Sequence, residues 1–446
     1  MKTIQLRRFS GIVNKRDGMP LCIFIVCMIA IVMVLAPAGA RAAAGDLNSR
    51  FGNAGVVVTD FSTTEDYSSA VKVQPDGKIV VAGYSGIYPD FHSALVRYTR
   101  NGRLDSTFGT GGKVVATFDS NGDNLSAIAL QTDGKIVAAG SIHGTAFLVA
   151  RFNADGSRDQ TFGNNGNVVT TFGDRTASAA DVVLQADGKI IVVGVSGAGP
   201  YSELNDFALA RYNADGNLDQ SFGTAGKVIT HFPGVFNTGS TATCVALQSD
   251  GKLVVGGTYK NERTPHQFAL ARYNSNGSLD STFGSSGKVM TTVGTGDAFS
   301  FAIALQSTGR IVLAGYSYTQ GHDFSLAGYN PDGTLDSTFG NGGFMATDFS
   351  GSTDDIAYAM TMQRDGKLVV AGRTGSYPNF DFALARYSSD GQPDETFGAG
   401  GKVITNLSTT DDAYAVALQR DGRIVLAGIA FNGSNFDFAA ACYLGR

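Results

Sequence analysis

The chain has 446 residues, of which 43% are hydrophobic and 16% charged, with 58 glycines and a formal charge of −5. That apolar content excludes a disordered chain, and the abundance of Gly over charged helix formers argues against a helical one. Short strands joined by tight turns are the expectation.

The first segment differs from the rest. Lys2, Arg7, Arg8, Lys15 and Arg16 precede an apolar run from Leu21 to Leu35, and small residues follow. This pattern predicts a secretory signal over residues 1–42, cut after Ala40, Ala42 or Ala44. An uncleaved anchor is the alternative, although the run is short for a membrane span. Neither Cys22 nor Cys27 follows the apolar run, so neither is placed to carry a lipid. The expected location is outside the cytoplasm: periplasm, cell surface or medium. Removing residues 1–42 takes away six basic residues and one acidic one, so the charge becomes −10. An acidic surface disfavours nucleic acid and anionic membranes. The expected partner is an extracellular or envelope protein or polysaccharide, met by a monomer.

From Leu47 to Tyr443 the chain repeats itself. A Gln closing an apolar stretch recurs at Gln74, Gln131, Gln185, Gln248, Gln306, Gln363 and Gln419, 54 to 63 residues apart. Seven copies of one unit over residues 47–443 call for a repeat architecture. Four strands can be read in each unit: A (as Ile128 to Gln131), B (Lys78 to Gly83), C (Phe268 to Tyr273) and D (Lys113 to Thr117). Asp-Gly between A and B signals a tight two-residue hairpin. Strands A and B are continuously apolar, as strands buried on both faces are. The fold class that follows is all-β: a seven-bladed β-propeller with four antiparallel strands per blade. An open solenoid would need polar caps, which a closed ring does not. The order of strands starts with a D type (Val56 to Thr59) and ends with a C type (Phe438 to Tyr443). The N-terminal strand is therefore expected to complete the last blade.

Five repeats place Arg before the aromatic residue that ends strand C: Arg97, Arg151, Arg211, Arg272 and Arg386. Eight residues later stands Asp105, Asp159, Asp219, Asp280 or Asp394. A structural ion pair is the expectation. The last repeat has Cys442 and Asn48 at these positions, so both partners are lost together. The fifth keeps Asp336 but has Gly328, which argues against the pair. Cys244 and Cys442 fall in different repeats and are expected as small buried hydrophobes rather than a disulfide.

The phrases Leu-Asp-x-x-Phe-Gly-x-x-Gly-x-Val, Leu-Gln-x-Asp-Gly-Lys-Ile-Val-Val-Ala-Gly and Phe-Ala-Leu-Ala-Arg-Tyr-Asn-x-Asp-Gly resemble the delta-60 repeat family of tandem-repeat bacterial proteins. Ser307-Thr308-Gly309-Arg310 and Asn48 are local departures from it. The resemblance implies a propeller exported from a bacterial cell, and no particular reaction.

Candidate site residues lie in two sets of connections on one face. The B–C connections vary most in length, and variable loops on a rigid scaffold are where binding resides. They hold Tyr88, His92, His143, Tyr201, Tyr259, His266, Tyr318, His322 and Tyr377. The bland alternative is a scatter of solvated side chains, since no metal-ligand spacing such as HxxxH appears. The D–A connections carry Asp66, Asp123, Asp355 and Asp411 eight residues before each Gln, with Asp297 one position off. If these converge at the channel mouth, they offer oxygen ligands for Ca²⁺. The competing reading is that Asp starts turns for local reasons. The Asn213-Ala-Asp-Gly-Asn-Leu-Asp219 phrase has its Gly at the wrong place for an EF-hand and reads as a turn. No nucleophile elbow, zinc motif or phosphate loop occurs. The chain also has no Trp, which disfavours stacking a quinone or sugars on indoles. A non-catalytic binding or adhesion module is the leading expectation. A hydrolase or lyase acting on an extracellular polymer through an acidic channel mouth is the alternative.

Overall fold

A computed structural model describes residues 42–61, 65–87, 89–197, 205–234, 238–261, 263–319, 321–351 and 353–446. The predicted signal segment, apart from its last residue, lies outside the described residues, as do Tyr88 and Tyr201. Among the described residues all regular structure is strand, in seven four-stranded antiparallel sheets. The first strand is β1 (Val56–Thr59). Blade 1 is β2 (Glu65–Val73), β3 (Ile79–Ile87), β4 (Asp90–Tyr98) and β5 (Lys113–Ala116). Blade 2 is β6 (Asp123–Leu130), β7 (Ile136–Ile142), β8 (Ala146–Phe152) and β9 (Asn167–Thr170). Blade 3 is β10 (Thr176–Leu184), β11 (Ile190–Gly197), β12 (Asp206–Tyr212) and β13 (Lys227–Thr230). In blade 4 come β14 (Gly239–Leu247), β15 (Leu253–Asn261), β16 (Thr264–Tyr273) and β17 (Lys288–Thr291). Blade 5 has β18 (Ala298–Leu305), β19 (Ile311–Tyr318), β20 (His322–Tyr329) and β21 (Phe344–Thr347). Blade 6 has β22 (Ile356–Met362), β23 (Leu368–Ser376), β24 (Asn379–Tyr387) and β25 (Lys402–Thr405). Blade 7 is β26 (Asp411–Leu418), β27 (Ile424–Phe431) and β28 (Phe436–Tyr443), completed by β1 in register Val56↔Ala441 to Thr59↔Phe438. The ring closes on its own first strand, as expected.

The continuous apolar strands are explained by the blade stacking. In β7, Ile136 and Ala138 pack toward blade 1, while Val137 and Ala139 pack toward blade 3. Successive side chains point to opposite faces, so a strand sandwiched between two neighbours must be apolar at every position. The seam between blades 7 and 1 is as well filled as the others, with Ala427, Phe438, Ala440 and Cys442 against Val71, Val81, Ala94 and Val96. Cys244 and Cys442 are buried free thiols.

The Arg–Asp pair is present in all five predicted blades, with Nε to Oδ2 distances of 2.7 to 2.8 Å. Each guanidinium lies over a Phe ring of its own blade and reaches a turn carbonyl of the next, as Arg151 does with Phe162 and Ala214. The pair therefore ties blades together. The fifth repeat does not break the rule. Arg310, at the position where five other blades have Lys, donates to Asp336 at 2.7 Å and takes over the missing partner. A second tie joins the Tyr ending strand C to the Thr ending strand D of the preceding blade: Tyr98 to Thr59, Tyr212 to Thr170 and Tyr273 to Thr230, at 2.7 to 2.8 Å.

Two expectations need correction. The A–B turn is not a two-residue hairpin: Gln74 and Lys78 flank three residues, and positive φ falls only on Gly77 (+89°). Asp76 Oδ1 accepts the Lys78 amide at 3.0 Å, so Asp serves as the turn's internal acceptor and Gly takes its left-handed position. Several B–C connections are also much shorter than the sequence suggests. Strands B and C continue pairing past their Gly and Phe, leaving two residues between β3 and β4 and two between β23 and β24. Polar residues in the outer halves of these strands read as loop in the sequence, yet an antiparallel ladder with one solvated face accepts them.

Candidate functional site at the channel mouth

The A strands β2, β6, β10, β14, β18, β22 and β26 line a central channel of about 670 Å³. Each contains a one-residue bulge, and the extra residues are Ser69, Ser126, Ala180, Thr243, Phe301, Tyr358 and Tyr414. All seven line the channel. The bulge explains the Gly in every strand B. A Cβ on Gly83, Gly140, Gly194, Gly257, Gly315, Gly372 or Gly428 would lie 1.8 to 2.1 Å from a strand A carbonyl oxygen. These glycines supply space, which lets the A strand bend and aim its bulged residue inward.

The bulged residues split the channel into two halves. Blades 1 to 4 offer Ser, Ser, Ala and Thr, while blades 5 to 7 offer Phe301, Tyr358 and Tyr414. Around the latter runs a chain of rings. His266 stacks on Phe299 (4.5 Å between centroids) and Phe299 on Tyr316 (5.1 Å). Tyr316 meets Phe301 at 6.0 Å, Phe301 meets Tyr358 at 5.6 Å, and Tyr358 meets Tyr414 at 4.9 Å. Tyr67 stacks on Tyr84 on the other side of the ring closure, at 5.2 Å. The Tyr414 hydroxyl donates to Asp412 at 3.0 Å, and Arg373 Nη1 lies 3.4 Å from both Asp412 oxygens. The guanidinium stacks on Phe380 at 4.0 Å, and its buried Nε has no partner. Burial, then Asp412, pushes the Tyr414 phenol above its ordinary range, and burial does the same to Tyr358. Tyr67 and Tyr316 are pushed up to about 12, again chiefly by burial. Neutral phenols and a guanidinium thus border an aromatic arc facing a hydroxyl-bearing half.

The structure distributes the sequence candidates as follows. His266 and Asp297 come together, Nδ1 to Oδ1 at 2.8 Å, and His322 pairs with Asp354 at 2.7 Å. These dyads occupy equivalent positions of successive seams and flank the Phe299–Tyr316 stack, with His322 5.0 Å from Tyr316. His266 holds Asp297 below the ordinary carboxylate range although burial works the other way. Tyr318, at the end of β19, joins the same group through His322 at 5.8 Å. Tyr259 is a correction: it lies on β15, only 3% exposed, with its hydroxyl on the Pro233 carbonyl. His92 is on β4 rather than in a loop and meets Thr117. His143 sits in the β7–β8 turn against the Asn121 carbonyl, and Tyr377 projects from its turn, 88% exposed.

The aspartates do not converge on the channel mouth. Asp66, Asp123, Asp355 and Asp411 are buried in four separate seams. There they accept amides of the preceding connection: Phe61, Phe118, Phe349, and Leu407 with Ser408. Asp66 stands one residue before the channel-lining Tyr67, and neighbouring strand positions point to opposite faces, which turns it into the seam. Burial raises Asp66 to about 6 and pushes Asp355 and Asp411 upward. The aromatic arc itself is invisible to loop lengths. Its signal is the repeat column five residues before each Gln, which turns from small to aromatic after the fourth blade.

Comparison with known proteins places the repeats. A family described as "Domain of unknown function (DUF5122) beta-propeller" matches residues 74–108, 131–162, 185–222, 248–283, 306–339 and 363–397, so the chain fits a tandem-repeat propeller family. Among curated proteins none matches the sequence. The solved structure of the polysaccharide lyase Uly1 is similar at a TM-score of 0.52 and 12% identity, over 93% of this chain and 94% of that one. Sqt1 of Chaetomium thermophilum aligns at 0.48 and 11% identity, over 87% and 97%. At such identities the likeness is one of fold.

Proposed function

We propose that this chain is a non-catalytic binding propeller that holds a polysaccharide across the channel mouth, from the aromatic arc to the hydroxyl-bearing half. The arc from His266 to Tyr414 carries the reading. Ring faces stack against the apolar faces of sugars, while hydroxyl and guanidinium donors orient their oxygens. Tyrosine and phenylalanine here do what the missing Trp would do elsewhere. The phenols are held protonated well above neutral pH, which suits hydrogen-bond donation and makes them poor bases. A glycan array followed by calorimetry tests the reading. Tyr358→Ala and Tyr414→Ala should each weaken binding about tenfold, the worth of roughly 1 to 1.5 kcal/mol per stacked ring. No bound glycan, or binding indifferent to both substitutions, refutes it.

The His266–Asp297 and His322–Asp354 dyads favour a second reading, a polymer-cleaving hydrolase or lyase, since a carboxylate orienting a His is the usual arrangement of a general base. Incubating a bound polysaccharide with the protein decides between the two. New chain ends that disappear with His322→Ala would replace the binding reading with the enzymatic one.

A further inference from the structure

At each blade's outer edge the residue just before the Phe-Ala-Leu-Ala-like stretch of strand C faces the residue just after strand D. In four blades this pair is complementary: His92 with Thr117, Asp206 with His231, Gln267 with Thr292, and Asp381 with Asn406, at 2.7 to 3.3 Å. Blades 5 and 7 instead place Asp opposite Asp, and the next blade adds a third, giving Asp323–Asp348–Asp355 and Asp60–Asp66–Asp437. In each trio one oxygen per residue lies within 4.8 Å of the others. That is twice a Ca²⁺–oxygen distance of about 2.4 Å, so one ion could touch all three.

The two trios differ in what the protein already supplies. Around Asp355, Thr353 and Thr374 hydroxyls donate to Oδ1 (3.0 and 2.5 Å) and the Phe349 amide to Oδ2 (2.7 Å). At the ring closure, Asp66 is fully buried and Asp437 is 4% exposed. Each uses Oδ2, on the Phe61 amide and the Asn432 side chain; Asp437 Oδ1 is left buried without a hydrogen-bond partner, while the Ser85 hydroxyl stands by the Asp66 carboxylate. Leaving such an oxygen buried beside two further carboxylates is costly unless something occupies it. The neighbouring ammonium, Lys113, is engaged by the Asp60 main-chain carbonyl at 2.5 Å, and Glu65 adds a further carboxylate that accepts the Phe436 amide. Asp60 is exposed and opens the group to solvent.

We infer that Asp60, Asp66 and Asp437 form a divalent-cation site, suited to Ca²⁺, that clasps the ring where its two ends meet. Asp60 follows β1, Asp437 lies on β28 and Asp66 on β2, so one ion joins the N-terminal strand, the C-terminal strand and the first blade. Glycan binding at the channel mouth does not depend on this site.

The test is calorimetric titration of the chelator-stripped protein with CaCl₂, with melting followed in chelator and in Ca²⁺. Wild type should take up one Ca²⁺ per chain and melt several degrees higher with it. Asp437→Asn should bind none, and in chelator it should melt above wild type because a repulsion has gone. Asp60→Asn should also lose the ion, whereas Asp323→Asn should bind as wild type does. No saturable heat with wild type, unchanged binding in Asp437→Asn, or loss of binding in Asp323→Asn would overturn the assignment.

Discussion

Replacing Arg151 by Gly imitates the fifth repeat at the second, and the structure allows its cost to be worked out. Arg151 Nε donates to Asp159 at 2.7 Å, Nη1 donates to the Ala214 carbonyl of blade 3 at 2.5 Å, and the guanidinium stands 4.6 Å from the Phe162 centroid. Two charge-assisted hydrogen bonds at about 1.5 kcal/mol each and a cation–π contact of about 0.5 to 1 kcal/mol are lost. Lys135 still holds Asp159 at 2.8 Å, which keeps the carboxylate from being stranded. The expected loss is therefore about 3 to 4 kcal/mol, or roughly 4 °C in melting temperature for a propeller of about 400 residues. Adding Lys135→Arg should return part of it. In blade 5 the corresponding Arg310 bonds Asp336 at 2.7 Å and reaches both Thr338 and the Ser389 carbonyl of the next blade at 3.1 Å. Gly328 goes with that arrangement, since a Cβ there would lie 2.4 Å from the Phe339 ring. A double-mutant cycle on melting temperature measures the effect, with a coupling of about 1 kcal/mol or more expected. If Lys135→Arg stabilises the wild type as much as it does the Arg151→Gly variant, the two positions are independent and the reasoning fails.

Gly140→Ala should cost about 2 to 3 kcal/mol, because the new Cβ meets the Asn124 carbonyl 1.9 Å away and must displace the bulge; an unchanged melting temperature would show that the A strand does not depend on that space. In chelator, stability should rise as pH falls from 7 toward 5. Asp66, raised to about 6 by burial, favours the folded state once protonated, and that contribution is lost as pH rises through 6. Hydrogen bonds from Thr282 and Lys252 hold Asp280 well below its ordinary value, so its contribution is present above about pH 4 and lost below it. Melting temperature should thus peak near pH 4, and Asp66→Asn should flatten the slope between about 4 and 6. Burial pushes the Cys442 thiol up to about 11 and raises Cys244 as well. Neither should react with a thiol reagent in the native protein, and both should titrate after unfolding.

Periodicity made the fold legible. Seven copies of one apolar-turn-apolar phrase, with strands apolar at every position, can bury both faces only by stacking blades around an axis. The D-type first strand and C-type last strand then had to meet. Even the Arg–Asp ties were visible as a spacing of eight, although it took the structure to show Arg310 rescuing Asp336 from another strand. The site was less legible. Strand boundaries are set by the ladder continuing past Gly83 and its counterparts, which no local propensity announces, so His266 and His322 read as loop residues when they lie in the first residues of strands β16 and β20. The bulges decide which A-strand residues enter the channel, and a bulge shifts the inward-outward alternation by one. That is why Phe301, Tyr358 and Tyr414 line the channel, while Asp66, Asp123, Asp355 and Asp411, which precede the bulges, are held in the seams by amides of the preceding connection. Asp60, Asp66 and Asp437 span most of the chain in sequence, and only closure of the ring brings their carboxylates together.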